Sequence, residues 1–159
     1  MLRDVLPSEG FDVVSVGYPQ EDCLKAVGFL NGYIRENDVD IVVGSSLGAF
    51  ITLNLNCDVP RVVINPCMEP FKVLALAGVS EREAESYREA TENIWNHERC
   101  SDIFGFFADD DELFGTRYRE RFGICYGDWS EIHSRHHLNE GCMAVIASKI
   151  KEFLNKRNG

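Results

Sequence analysis

The residues with the clearest chemical potential form the pattern G-x-S-x-G, from Gly44 to Gly48, directly after a short β-branched run. In this pattern a strand turns sharply into a helix and lifts the central serine hydroxyl above the sheet. Glycines on both sides of the serine remove side chains that would collide in so tight a turn. We therefore predict that Ser46 is a nucleophile. The Leu47 N–H, at the start of the helix, is predicted to stabilise a developing oxyanion.

A serine hydroxyl is a weak nucleophile, so it needs a general base and an acid that orients the base. After a strand–turn–helix nucleophile of this kind, the acid comes next along the chain and the histidine last. Four carboxylates, residues 109–112, follow an apolar run that ends at Phe107. One of them is predicted to be the orienting acid, and the others form a solvated acidic loop.

The chain contains four histidines, and three of them cluster near its end. His133, His136 and His137 are predicted to lie in a loop between the last strand and the last helix, where the base is required. His97 lies in a polar helical segment and is predicted to be a surface residue. The periodicity of the sequence does not choose between His136 and His137.

Cofactor signals are weak throughout the sequence. The six cysteines include no C-x-x-C pair, and no cysteine or histidine cluster has zinc-site spacing. We expect reduced, partly buried thiols and neither a metal nor an organic cofactor. The phosphate-binding patterns G-x-G-x-x-G and G-x-x-x-x-G-K-[ST] are both missing, which disfavours a flavodoxin-like nucleotide-binding domain.

Composition and charge narrow the classes of molecule that the protein is expected to bind. The 159 residues include 26 acidic and 16 basic side chains, so the formal net charge is -10. Such a surface repels phosphate backbones and anionic lipids, which argues against nucleic-acid and membrane partners. No apolar stretch approaches the ~20 residues needed to span a bilayer, and no secretory signal is visible. We expect a cytoplasmic protein whose partner is a small molecule.

Strand-like and helix-like runs alternate along the chain, which predicts a mainly parallel α/β sheet of about five strands with helices on both faces. Reactive groups in such sheets lie at the carboxyl ends of the strands. The last helix is predicted from Asn139 to about Asn155. The predicted strands are residues 11–16, 40–43, 61–64, 102–107 and 123–126.

The pattern changes between Pro66 and Cys100. An apolar stretch over residues 71–79 precedes a polar, acidic helix, and Ser80 with Glu83 forms a capping-box pattern at its start. This segment is either a cap over a pocket or a plain crossover helix. In both cases residues 1–159 are expected to form a single domain.

Taken together, these motifs resemble the α/β-hydrolase superfamily and, more narrowly, the small bacterial YqiA-type esterases. The resemblance implies a three-layer sandwich with a Ser-His-Asp triad, in which Ser46 is the nucleophile and the Leu47 N–H an oxyanion donor. It favours Asp111 as the acid over Asp110 and Asp109, and His136 as the base with His137 second. The matching pieces are residues 41–50, 62–66, 70–71, 111–113 and the segment around His136.

The resemblance also concerns the oxyanion site. Family members begin with an apolar strand and a His-Gly-Phe-like loop that supplies a second oxyanion donor. Met1 corresponds to a position inside the following helix, so that strand and that donor are expected to be absent. Residues 11–16 and 40–43 would then pair directly, or a partner chain would fill the gap in a homo-oligomer.

Two functions follow from the resemblance. The first is a serine esterase or thioesterase that acts on a small carboxylic ester. The alternative is a catalytically impaired binding or interaction module that keeps the α/β-hydrolase fold but lacks one oxyanion donor.

Overall fold

The computed structural model describes residues 2–76, 78–95 and 102–158, and its centre is a fully parallel sheet. The four strands lie in chain order from one edge to the other. This arrangement confirms the predicted α/β class, with four strands among the described residues instead of about five. The strands are β1 (Val42–Ser45), β2 (Arg61–Ile64), β3 (Ile103–Asp110) and β4 (Trp129–Arg135).

Helices precede, connect and follow the strands. Within the described ranges, no helix is long and apolar enough to cross a bilayer. The helices are α1 (Leu2–Val5), a 3-10 turn (Leu6–Glu9), α2 (Cys23–Glu36), α3 (Leu47–Leu53), α4 (Pro70–Leu76), α5 (Glu81–Ile94), α6 (Arg119–Cys125) and α7 (Glu140–Asn158).

The central strands are covered on both faces, as their continuous apolar runs predict for a parallel sheet. Val63 and Phe107 belong to a core that α2, α3, α5 and α6 complete on one side. Val62 and Phe106 face the other side, where the 3-10 turn and α7 complete a second core. The predicted layering of helix, sheet and helix is therefore confirmed.

The prediction of a strand over residues 123–126 is wrong, because this segment belongs to α6 and its C-cap. Phe122 and Tyr126 lie four positions apart and are both buried, whereas Ile124 between them is 77% exposed. Residues four apart share one face of a helix, so this spacing buries both aromatic rings against the sheet. The apolar run is too short for its sequence to distinguish helical spacing from that of a strand.

The last strand, β4, begins after this helix and was not predicted. Its burial alternates: Ile132 and Ser134 are buried, while Glu131, His133 and Arg135 are exposed. This is the period of two expected for a strand. His133 consequently lies within β4 and not in a loop, which corrects the predicted placement.

The prediction of a strand over residues 11–16 is also wrong. The segment has no strand partner, and β1 pairs only with β2 among the described residues. Phe11 and Val13 pack against the second core, but Val14 is 65% exposed. An apolar alternation becomes a strand only where a neighbour supplies ladder hydrogen bonds. The expected direct pairing of residues 11–16 with residues 40–43 is therefore not formed.

The segment after β2 contains α4 and α5. The predicted capping box is present, since Ser80 accepts the Glu83 N–H and the Glu83 carboxylate accepts the Ser80 N–H. Tyr87 and Ile94 of α5 are buried in the first core. The predicted surface position of His97 lies outside the described residues, as does Cys100.

Candidate active site

Ser46 lies in the turn between β1 and α3. Its backbone has φ 54° and ψ -118°, a conformation that L-residues rarely adopt. The turn is tied to the sheet, because the Ser46 N–H donates to the Ile64 carbonyl at 3.0 Å and the Ser46 carbonyl accepts the Cys67 N–H at 3.1 Å. The strand–turn–helix geometry thus projects the Ser46 side chain beyond the carboxyl end of the sheet.

The two glycines of the motif play different roles. A Cβ atom on Gly44 would lie 2.5 Å from the Gly48 carbonyl oxygen, so strand and helix could not approach as they do. A Cβ atom on Gly48 would meet the Tyr18 hydroxyl at 3.4 Å, an ordinary contact. The steric reason predicted for both positions therefore holds at Gly44 and is wrong at Gly48.

His136 follows the end of β4 and points toward Ser46. Its Nε2 lies 3.0 Å from the Ser46 Oγ, although the two residues are 90 positions apart in the chain. The imidazole is buried, and the Phe114 ring packs edge-on against it with 4.8 Å between ring centroids. This packing restricts rotation of the imidazole about its side-chain bonds.

Asp111, one residue beyond β3, contacts the other nitrogen of this ring. The His136 Nδ1 lies 3.1 Å from Oδ2 and 3.2 Å from Oδ1 of the Asp111 carboxylate. The Oδ1 atom also accepts the backbone N–H groups of Leu113 and Phe114, each at 2.9 Å. An ionised carboxylate only accepts hydrogen bonds, so this contact suits the tautomer with an Nδ1–H, in which the lone pair of Nε2 faces Ser46.

The alternative candidates do not join this line of contacts, although the His137 ring packs against the His136 ring with 5.6 Å between centroids. His137 and Asp110 are exposed. Asp109 binds His133, with 2.6 Å between Oδ2 and Nδ1. The hydrogen bond that the Asp109 carboxylate accepts from the ring raises the pKa of His133 and lowers the pKa of Asp109. This second carboxylate–imidazole pair is on the surface, since the His133 side chain is 97% exposed.

Two neighbouring groups bear on the chemistry of Ser46. The Leu47 N–H is at the first position of α3, where a helix offers no carbonyl acceptor of its own. Cys67 is joined to Ser46 through the backbone, since its N–H donates to the Ser46 carbonyl. Burial raises the pKa of the Cys67 thiol to about 12, which leaves it protonated and unreactive at neutral pH.

No group of His, Cys, Asp and Glu side chains in the described ranges is arranged to hold a metal ion.

No protein-family model matches the chain, and a search of curated proteins finds no match either. Solved structures do match it. Est1E from Butyrivibrio proteoclasticus superposes with a TM-score of 0.62 and 14% identity, over 86% of this chain and 71% of Est1E. The esterase domain of a Rhodothermus marinus protein gives a TM-score of 0.59 and 17% identity, over 98% and 77% of the two chains.

A third match is MGS-MChE2, an alpha/beta hydrolase enzyme from a sediment metagenome of the Mar Chica lagoon in Morocco. Its TM-score is 0.57 at 16% identity, over 98% of this chain and 83% of that one. The chain has the α/β-hydrolase fold. Within this fold, the narrower resemblance to YqiA-type esterases stays a prediction from the sequence motifs.

Two further polar residues lie at the site of this α/β-hydrolase fold: Asn65, which was not predicted as functional, and Glu112, which was predicted only as one of four candidate carboxylates. Asn65 is buried, has φ 44°, and donates from Nδ2 to the His136 carbonyl at 3.0 Å. Glu112 accepts the His136 N–H at 2.8 Å. The sequence contained a signal for the first, because Asn65 lies within residues 62–66, one of the pieces that carry the family resemblance.

Proposed function

We propose that the protein is a serine hydrolase that cleaves esters or thioesters of small carboxylic acids. Ser46 is the nucleophile, His136 the general base, Asp111 the orienting acid and the Leu47 N–H an oxyanion donor. The observation that carries the proposal is the 3.0 Å approach of the His136 Nε2 to the Ser46 Oγ, with Asp111 on the opposite ring nitrogen. A nucleophile, a base and an orienting carboxylate in line are the arrangement that acyl transfer requires.

In the first half of the reaction, the Ser46 Oγ attacks the carbonyl carbon of the ester and its proton passes to the His136 Nε2. Asp111 stabilises the imidazolium that forms, because its negatively charged carboxylate accepts a hydrogen bond from the Nδ1–H without taking the proton. The negative charge on the former carbonyl oxygen develops close to the Leu47 N–H. The tetrahedral intermediate then collapses, the bond to the alcohol or thiol breaks, and Nε2 returns a proton to that leaving group.

In the second half, water replaces the alcohol or thiol. His136 takes a proton from the water as its oxygen attacks the acyl-serine carbonyl, and a second tetrahedral intermediate forms. When this intermediate collapses, the bond between the acyl carbon and the Ser46 Oγ breaks. The proton on Nε2 returns to the Ser46 oxygen and the carboxylic acid leaves.

The test is labelling of the folded protein with a fluorophosphonate, together with hydrolysis of p-nitrophenyl acetate and a short-chain acyl thioester. We expect a single adduct on Ser46, and we expect Ser46→Ala to abolish both labelling and turnover. Ser45→Ala is the matched control, because the adjacent Ser45 is exposed at the end of β1. Wild-type labelling that survives in Ser46→Ala would contradict the assignment of the nucleophile.

The other two roles are tested in the same assays. We expect His136→Ala to abolish labelling and turnover, while the exposed His137→Ala retains them. We expect Asp111→Asn to reduce kcat by about 10⁴, because an uncharged partner favours the wrong imidazole tautomer, while Asp110→Asn has little effect. Equal losses in His136→Ala and His137→Ala would contradict the proposed base.

The non-catalytic binding module is the competing outcome of these experiments. It predicts that folded wild-type protein shows no turnover above that of Ser46→Ala and forms no fluorophosphonate adduct. A single adduct on Ser46 would exclude it, because that reaction requires an activated hydroxyl.

A further inference from the structure

The backbone of His136 is held on both sides by side chains from other strands. Its carbonyl oxygen accepts a hydrogen bond from the Asn65 Nδ2 at 3.0 Å. Its N–H donates to the Glu112 Oε2 at 2.8 Å. Asn65 follows β2 and Glu112 follows β3, whereas His136 follows β4. The position of His136 therefore depends on contacts with two strand ends besides its own.

Asn65 is the more firmly held of the two side chains. Its residue is 1% exposed, its N–H donates to the Phe106 carbonyl at 2.9 Å, and its Oδ1 accepts the Ala108 N–H at 2.8 Å. The amide thus connects β3 to the peptide of His136, with one end accepting and the other donating. By contrast, the Glu112 side chain is 31% exposed.

Few residue types can replace Asn65. The position needs a donor and an acceptor on one short planar group, which an amide provides. It also needs a positive φ of 44°, which asparagine tolerates better than most residues. An aspartate has the same shape and keeps the acceptor, but it removes the donor and places an oxygen opposite the His136 carbonyl.

We propose that Asn65 is a positioning residue for the hydrolysis: by joining β3 to the His136 carbonyl, it sets the distance between the His136 Nε2 and the Ser46 Oγ. This inference rests on the proposed function. Ser46 is tied to the same strand end, since its N–H binds the Ile64 carbonyl. Ile64 and Asn65, consecutive residues at the end of β2, therefore fix the positions of the nucleophile and the base relative to each other.

The principal experiment is the variant Asn65→Asp. A displacement of about 1 Å at a reacting group costs on the order of 10²-fold in rate, so we expect kcat to fall about 10- to 100-fold. We expect KM to stay within about twofold, because Asn65 is buried and does not reach the substrate. The rate of fluorophosphonate labelling of Ser46 should fall in parallel with kcat.

A readout that does not depend on turnover comes from proton NMR of the Nδ1–H of His136, the proton shared with Asp111. We expect Asn65→Asp to shift or broaden this resonance. The matched control is Asn54→Asp, since the Asn54 Nδ2 also donates to a backbone carbonyl, that of Phe50, at 3.0 Å. This control lies at the far end of α3 and should leave the resonance and kcat unchanged.

The outcomes separate the two proposals. Active wild-type protein with an equally active Asn65→Asp, and an unmoved Nδ1–H resonance, would overturn the role of Asn65 and leave the proposed function intact. Inactive wild-type protein would overturn the proposed function, and the resonance would still report whether Asn65 positions the ring. If Asn65→Asp fails to fold, Asn65→Gly keeps the positive φ and removes both amide hydrogen bonds, and wild-type kcat in that variant overturns the proposal.

Discussion

At the scale of single residues, two carboxylate–imidazole pairs lie close together but in different environments. Asp111 and His136 are buried, whereas Asp109 and His133 lie at the surface, near the carboxyl ends of β3 and β4. The two carboxylates are two positions apart in the chain, and the two imidazoles are three positions apart. Their burial, and not their residue types, distinguishes a candidate catalytic pair from a surface ion pair.

The surface pair gives a pH prediction. The Asp109 carboxylate raises the pKa of His133 above its ordinary value of 6.5, and His133 lowers the pKa of Asp109 below 3.8. The contribution of His133 to stability is fully present below 6.5 and is lost as the pH rises through its raised pKa. The contribution of Asp109 is present above 3.8 and is lost as the pH falls through its lowered pKa. The pair therefore stabilises the fold most between these two ordinary values.

NMR titration of the His133 ring checks this prediction. We expect a midpoint above 6.5 in the wild-type protein and a return toward 6.5 in Asp109→Asn. Asp110→Asn is the control, since Asp110 is only a minor cause of the shift. A midpoint that Asp109→Asn leaves unchanged would contradict the assigned cause.

At the scale of elements, the contact between β1 and α3 places Ser46. The backbone of Gly48 occupies the space that a side chain on Gly44 would need. This close approach forces the chain through the strained conformation of Ser46. The geometry of the proposed nucleophile is therefore a consequence of how one strand and one helix pack.

Substitutions at Gly44 and Gly48 should show that only the first of these glycines is required for the close approach of β1 and α3. We expect Gly44→Ala to lower the free energy of unfolding by about 1–3 kcal/mol, because the added methyl overlaps backbone atoms of Gly48. We expect Gly48→Ala to change it by less than about 1 kcal/mol, since alanine gains helix propensity and meets only the Tyr18 hydroxyl. Urea unfolding measures both, and equal losses would contradict the asymmetry between the two glycines.

At the scale of the whole molecule, the sheet separates two cores. The segment that carries His136 leads directly into α7, and α7 covers the second core through Ile146, Ala147 and Ile150. The first core contains residues of α2 to α6, including α3, which begins directly after Ser46. The site thus lies where elements from both layers meet at the carboxyl edge of the sheet.

Packing of α7 should therefore contribute strongly to stability. We expect Ile146→Ala to cost about 2–5 kcal/mol, because Ile146 is fully buried and the variant leaves a cavity. The adjacent Val145 is 48% exposed, so Val145→Ala should cost no more than about 0.5 kcal/mol. Denaturant unfolding with coincident fluorescence and circular dichroism measures both. Similar losses of unfolding free energy in the two variants would contradict the anchoring of α7 through the buried face that carries Ile146.

The sequence by itself determined the features that depend on neighbouring residues. The G-x-S-x-G turn, the capping box at Ser80, and the strand cores at residues 42–43, 61–64 and 103–107 each depend on short-range sterics or local hydrogen bonds. Such interactions join residues a few positions apart, so a pattern in the sequence can predict them.

Only the tertiary structure decided what depends on distant partners. Residues 11–16 alternate like a strand but pair with no strand in the part of the chain that the structure describes. Residues 123–126 join a helix because two aromatic rings pack on the sheet. The 3.0 Å approach of His136 to Ser46 joins residues 90 positions apart. It also requires Asn65 and Glu112 to hold the His136 backbone. Hydrogen bonds and burial between strand ends set these outcomes, and no local spacing in the chain encodes them.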